Sequence, residues 1–323
     1  MAVFIQIGIL IAGLLLILVG ANYLVDGSSS IAKRFGLSEF VIGLTIVGIG
    51  TSMPELVVSL LSAIQGKAEM AIGNVVGSNI FNTLIILGIT ALVAPMVITK
   101  SNLKRDIPLN IVVTILLILL GKSFSLFGAG NADTLSRVDG ALLLVIFVWY
   151  LWSSFKHDNP DEAGEDSEGI KIYTNGVAGL MIVGGLAGLI FGGRLFVNSA
   201  TALASMAGVS EKFIAITIMA AGTSLPELAT CVVAAAKGRG QLALGNILGS
   251  NISNILLILG CSALIHPLSF SGMSAVDLGA LFASAAVILI CAYSFKKKEI
   301  DRTEGALLLL MEAGYMAYLI ATI

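Results

Sequence analysis

The sequence predicts an all-α membrane protein: ten transmembrane helices in two inverted five-helix repeats, with discontinuous helices at the centre. Three observations predict it. The 323 residues are 57% hydrophobic and 12% charged, where a soluble domain carries about 25% charged residues. Ten apolar runs, each near the length of roughly 20 residues that a bilayer-spanning helix needs, follow one another along the chain. The chain also repeats itself: positions 20–95 align without a gap with 192–267, an offset of 172, and 32 of the 76 pairs are identical.

In order, the runs are 3–27, 38–64, 70–94, 105–121 and 137–155, then 173–205, 211–236, 241–265, 275–295 and 303–322. They are continuous rather than alternating, which predicts helices and not a transmembrane barrel. The first run has no basic residue before it and no small-residue cleavage site after it, so it is expected to be retained. The second carries GTSMPEL at 50–56 and the third GNVVGSNIFN at 73–82; the seventh and eighth answer with GTSLPEL at 222–228 and GNILGSNISN at 245–254. Between the halves lies HDNPDEAGEDSEG, 157–169. It lacks the alternating ligands and glycine of an EF-hand loop and reads as a solvated linker rather than a regulatory calcium site. The expected units are therefore a first repeat at 1–156, an acidic linker at 157–172 and a second repeat at 173–323. Five spans is an odd number, so the second copy enters the membrane from the opposite side. Secondary transporters use such inverted repeats, with the site near the midplane.

Orientation follows from lysine and arginine. The odd-numbered connections hold 13 of them and the even-numbered ones 4, with Arg194 inside a span. Both termini are expected outside and the central loop in the cytoplasm, in a multi-pass protein of the cell's inner membrane. The net charge of −2 leaves no nucleic-acid footprint. Cys231, Cys261 and Cys291 are scattered through apolar runs and read as small core residues.

Glu55 and Glu227 read as the only carboxylates deep inside long apolar spans. An acid in the hydrocarbon region costs several kcal/mol unless partnered, and is functional by default. Pro54 and Pro226 interrupt the same runs. A proline inside a helix cannot donate its N–H and frees the carbonyl four residues back, here those of Gly50 and Gly222. Free carbonyls at membrane depth survive where they line a cavity or meet a partner. Gly73 with Gly77, and Gly245 with Gly249, form small-xxx-small faces for close helix contact. Ser78 and Asn82 are four apart and share a face, as do Ser250 and Asn254. Asn74, Asn79, Asn246 and Asn251 are either further ligands or amides that tie helices together. Every candidate ligand is oxygen, and His157 and His266 fall at span ends. The set suits hard cations, sodium or calcium, and disfavours zinc. Two ionised glutamates in one buried site repel each other; one divalent ion neutralises both. When it leaves, sodium ions or protons must take its place, which predicts obligatory exchange rather than leak.

GTSMPE with GNVVGSNIFN, and GTSLPE with GNILGSNISN, resemble the two α-repeats of the cation/calcium exchanger superfamily, in its sodium/calcium branch of prokaryotic type. The resemblance covers nearly the whole chain. It implies a sodium/calcium antiporter working by alternating access, sodium entering as calcium leaves. The proton/calcium branch carries a different sequence around its key acid. Carried over residue by residue, the resemblance implies that Glu55 and Glu227 bind calcium with the backbone carbonyls of Thr51 and Thr223. It implies that Ser52, Ser78, Ser224 and Ser250 serve outer sodium sites, that Gly48 and Ala220 lend carbonyls, and that Asn82 and Asn254 are the central polar pair. Some members carry aspartate where this chain has Asn254; the change leaves calcium neutralisation intact and leaves ion stoichiometry and potassium dependence open. No cofactor, no enzyme activity and no obligate protein partner are expected, the partners being the two ions and the bilayer. The alternatives are a proton/calcium or other divalent-cation exchanger and, from other classes, an ion channel or an intramembrane enzyme. One acid pair per chain speaks against an open pore, and the lack of a histidine-based catalytic set against an enzyme.

Overall fold

The computed structural model describes residues 2–128, 132–158, 170–208, 220–294 and 298–322. The first half begins with α1 (Ala2–Phe35), followed by α2 (Glu39–Ile42), a π-helical turn at Gly43–Val47 and α3 (Gly48–Thr51). After a break at Ser52 come α4 (Met53–Ile64) and α5 (Ala68–Phe81), then a π-turn at Asn82–Ile86 and α6 (Leu87–Val93). A π-turn at Asn102–Asp106, α7 (Ile107–Gly121), α8 (Ser123–Phe127) and α9 (Arg137–Lys156) complete it. The second half has α10 (Asn175–Met206), α11 (Ala220–Thr223), a break at Ser224 and α12 (Leu225–Ala236). Then come α13 (Gly240–Ser253), a π-turn at Asn254–Leu259, α14 (Gly260–Ile265), α15 (Ala275–Tyr293) and α16 (Arg302–Thr322).

Shifted by the 172 residues of the sequence repeat, α4 falls on α12 and α5 on α13 end for end, and the π-turns after them begin on the paired Asn82 and Asn254. Among the described residues seven helices are long and apolar enough to cross a bilayer, and an eighth arises when Glu39–Thr51 and Met53–Ile64, bent by 47°, count as one span. Of the ten predicted runs, the remaining two are helical over 15 residues in α7 and 12 in α12; the start of the seventh run, 209–219, lies outside the described residues. The first span is longer than its apolar run: Lys33 and Arg34 sit in the last turn of α1, where the negative end of the helix dipole favours cations. Of the acidic stretch, 159–169 lies outside the described residues. Asp158 before it accepts the Ser38 N–H at 2.8 Å and ties that end to the start of α2.

Two small-residue seams join the repeats. Gly13, Gly20 and Gly27 recur every seventh residue on α1, and Ala178, Gly185 and Gly192 do so on α10. A Cβ at Gly13 would lie 2.9 Å from the carbonyl of Gly192, one at Gly20 2.8 Å from that of Gly185, and one at Gly27 2.9 Å from that of Ala178. The pairing order is reversed, so these two corresponding helices run antiparallel, with backbones in contact as small-residue membrane seams require. In the second seam, a Cβ at Gly245 or Gly249 would lie 2.2 Å from the carbonyl of Phe40 or Leu44. That seam buries every residue of α13 from Gln241 to Ser253. Large apolar side chains such as Phe4, Val145, Leu180 and Leu310 are exposed on the outer helices, as a lipid-facing surface demands. Two short antiparallel pairings, Met96–Val97 with Glu299–Ile300 and Thr134–Leu135 with Leu268–Ser269, add the strand content of an otherwise helical fold.

Candidate functional site

The helix breaks make the site. Pro54 and Pro226 stand in the first two positions of α4 and α12, where a missing N–H costs nothing. They therefore start new helices instead of kinking old ones. Glu55 and Glu227 fall in those first turns, each 1% exposed. The N–H groups at a helix start favour an anion there. The break residue of each repeat serves the glutamate of the other. Ser52 Oγ donates to Glu227 Oε1 at 3.0 Å, and Ser224 Oγ donates to Glu55 Oε1 at 3.1 Å. The Thr223 side chain also interacts with Glu55, and that of Thr51 with Glu227; Glu55 lies within electrostatic reach of Glu227.

The second block closes around the first. Asn82 Nδ2 donates to Asn251 Oδ1 at 3.2 Å, and Asn254 Nδ2 to Asn79 Oδ1 at 2.9 Å. Asn79 Nδ2 donates to the Asn251 carbonyl and Asn251 Nδ2 to Thr83 Oγ1. Asn79 and Asn251 thus use their own polar atoms to hold Asn82 and Asn254. What is left is a symmetric set of acceptors: Glu55 Oε2, Glu227 Oε2, Asn82 Oδ1 and Asn254 Oδ1 are all buried without a hydrogen-bond partner. A buried acceptor without a donor carries a full desolvation penalty, so four related by the repeat mark a place built for something electropositive. Among the described residues no three Asp, Glu, His or Cys side chains converge; the set is two carboxylates and neutral oxygens.

Asn74 and Asn246 act as helix ties. Asn74 Nδ2 donates to Ser59 Oγ at 3.0 Å and to the Glu55 carbonyl at 3.3 Å. Asn246 Nδ2 donates to Cys231 Sγ at 3.2 Å, while its Oδ1 accepts from Thr51 Oγ1 at 3.1 Å. Cys231 is buried, as expected of a small core residue.

The flanking serines differ. Ser250 is sealed, its Oγ donating to the Gly48 carbonyl at 3.1 Å. Ser78 instead lines a cavity of about 490 Å³ with Asn74, Asp277, Glu312 and Tyr315. Ala220 opens α11, but its side chain is outside the described residues. So are residues 212 and 216, the repeat counterparts of Phe40 and Leu44. Among the described residues nothing comes within 4 Å of a Cβ at Gly77, and only Met273 does so at Gly73. The close seam foreseen for both glycine pairs is present at Gly245 and Gly249; at Gly73 and Gly77 the segment that would meet it, 209–219, lies outside the described residues.

The structure also corrects the reading of Glu55 and Glu227 as the only deep acids. Glu312 lies in the middle of α16, is 7% exposed and has an unpartnered Oε2. Its signal was in plain sight, an acid after GALLLLM. The repeat does not share it: GALLL at 305–309 aligns with GALLL at 140–144, which puts Phe147 opposite Glu312.

Residues 5–156 and 177–321 match the family described as sodium/calcium exchanger protein. A putative antiporter, CaxA of Alkalimonas amylolytica, is 39% identical, the alignment covering 97% of this chain and 98% of its relative. The sodium/calcium exchanger MaX1 of Methanosarcina acetivorans is 36% identical, with 97% of each chain covered. Among solved structures, the sodium-calcium exchanger NCX_Mj soaked with zero Na+ and Ca2+ superposes with a TM-score of 0.83 at 30% identity, covering 98% of this chain and 99% of that one.

Proposed function

The chain belongs to the sodium/calcium exchanger family, a family of multi-pass membrane proteins, and from that membership we propose that it is a sodium/calcium antiporter. It exports calcium against sodium influx by alternating access. The observation that carries this reading is the set of four unpartnered acceptors on Glu55, Glu227, Asn82 and Asn254. Two carboxylates at one buried point match the charge of one divalent ion, and oxygen ligands match its hardness. Glu55 and Glu227 hold calcium with the carbonyls of Thr51 and Thr223. Ser52, Ser78, Ser224 and Ser250, with the carbonyls of Gly48 and Ala220, hold sodium to either side, and Asn82 with Asn254 sits between. The 3.1 Å approach of Ser250 Oγ to the Gly48 carbonyl supports one such pocket, since it puts two of its oxygens side by side.

In this reading the chain crosses the membrane ten times, five in each inverted repeat, 1–156 and 173–323, with the linker 157–172 in the cytoplasm and both termini outside. The antiparallel course of α1 and α10 supports the inversion. The site lies in the inner membrane and works without cofactor, catalytic chemistry or obligate protein partner. Uptake of radioactive calcium into proteoliposomes loaded in turn with sodium, potassium or acid tests it. Sodium-loaded vesicles are expected to accumulate calcium; uptake driven only by the proton gradient would make it a proton/cation exchanger instead.

A further inference from the structure

The cavity beside Ser78 holds a carboxylate that the symmetric site does not use. Among the described residues its lining includes two acids, Asp277 and Glu312, and no lysine, arginine or histidine. The two acids are not equivalent. Asp277 is in the first turn of α15, and its Oδ2 accepts from the N–H and hydroxyl of Ser274. Its Oδ1 accepts from Tyr315 Oη at 2.9 Å. Both oxygens are therefore engaged. Glu312 stands one turn before Tyr315 on α16, so the two share a face; it is buried, and its Oε2 meets no donor. An ionisable group left this way in an apolar span is costly unless something enters to meet it. The open volume in front of it gives such a guest room.

We propose that Glu312 anchors an accessory site for a monovalent cation, sodium above all, in the cavity that leads to Ser78. The open oxygens select the guest. Both oxygens of Asp277 already accept from Ser274 and Tyr315, so among the described lining residues Glu312 alone offers an open carboxylate oxygen, too sparse a set for a divalent ion that takes about six to eight oxygen ligands. The lining adds neutral oxygens on Ser78, Asn74 and Tyr315, whose hydroxyl proton is given to Asp277, while the rest of the wall is largely apolar, Ile80, Phe81 and Leu319 among it. The first repeat has buried Phe147 at the aligned position, so the accessory site is on one side only and makes the two routes to the centre unequal. Its role as a stage on the sodium route rests on the exchanger reading; its existence as a cation site does not.

The test is therefore made on the protein with and without its central charges. Purified full-length chain, and a Glu55→Gln/Glu227→Gln double variant, are treated with dicyclohexylcarbodiimide, which modifies protonated carboxyls in apolar surroundings. The Glu312 peptide is then quantified by mass spectrometry in sodium against choline at equal ionic strength. Glu312 is expected to label in choline in both proteins. At sodium about ten times the half-protecting concentration, labelling should fall roughly tenfold in both. No labelling in choline, labelling indifferent to sodium, or protection lost in the double variant would each overturn the site. Protection in a chain that exchanges no calcium would keep the site and overturn only the exchanger reading. In an exchanging chain, Glu312→Gln should raise the sodium needed for half-maximal exchange severalfold and leave the calcium value unchanged; unchanged sodium dependence overturns its place on the sodium route.

Discussion

Each central glutamate takes its hydroxyl donor from the other repeat, Ser52 to Glu227 and Ser224 to Glu55, and each keeps one oxygen free. Removing one charge leaves a site that cannot neutralise a divalent ion, although the glutamine amide still fills the space. Glu55→Gln and Glu227→Gln are each expected to abolish calcium exchange with the protein still folded, by activity at matched protein levels. Normal transport in either variant removes both acids from the mechanism. The serines separate sodium from calcium. Ser78→Ala and Ser250→Ala delete a neutral ligand and leave the charge balance intact, so the sodium half-saturation value should rise much more than that of calcium. If the two hydroxyls only link helices, at about 0.6 kcal/mol each, then both values shift together or neither does. Ser250 is the sharper case, because its hydroxyl already contacts the Gly48 carbonyl.

At the scale of elements, the decisive feature is how closely α13 approaches the stretch from α2 through the π-turn at Gly43–Val47. A methyl group at Gly249 would lie 2.2 Å from the Leu44 carbonyl and 2.6 Å from its Cα. Backbone cannot swing aside as a side-chain tip can, so Gly249→Ala must push the helices apart. Such overpacking costs about 1–3 kcal/mol, and it moves Ser250, the next residue. Lower thermal stability in detergent and impaired exchange are expected together. A Gly249→Ala protein as stable as the parent would contradict the close seam. The proline positions explain the break itself: at Pro54 and Pro226 the helices restart, and the restart puts a glutamate and a ring of N–H groups at one buried point.

At the scale of the molecule, the antiparallel α1 and α10 and the matched halves surround one acid pair, while Ser78 lines a cavity and Ser250 is sealed. A divalent ion on one leg and several monovalent ions on the other move net charge unless the two loads match. Transport is therefore expected to be electrogenic: clamping the membrane potential with valinomycin and potassium should change the initial rate of calcium uptake. A rate indifferent to potential means that the charges carried on the two legs cancel.

What the amino-acid sequence by itself determined is whatever depends on composition and local pattern. The apolar runs, the 172-residue repeat, the interruptions at Pro54 and Pro226 and the choice of oxygen ligands all follow from residue types and their spacing along the chain. The tertiary structure decided everything that depends on which distant positions meet. Ser52 and Glu227 are 175 residues apart, and no periodicity records that the hydroxyl of one repeat serves the acid of the other. The GSNI pattern and the asparagine two residues after it, shared by both repeats, contain a supporting amide and a presenting one, distinguished only by the partners that Asn251 and Asn254 bring. Glu312 is the inverse case. It is an acid in an apolar run that the repeat does not share, and only the cavity in front of it gives it a meaning. Helices and breaks are set by nearby residues, whereas a site is a meeting of surfaces whose contacts form only when the helices pack.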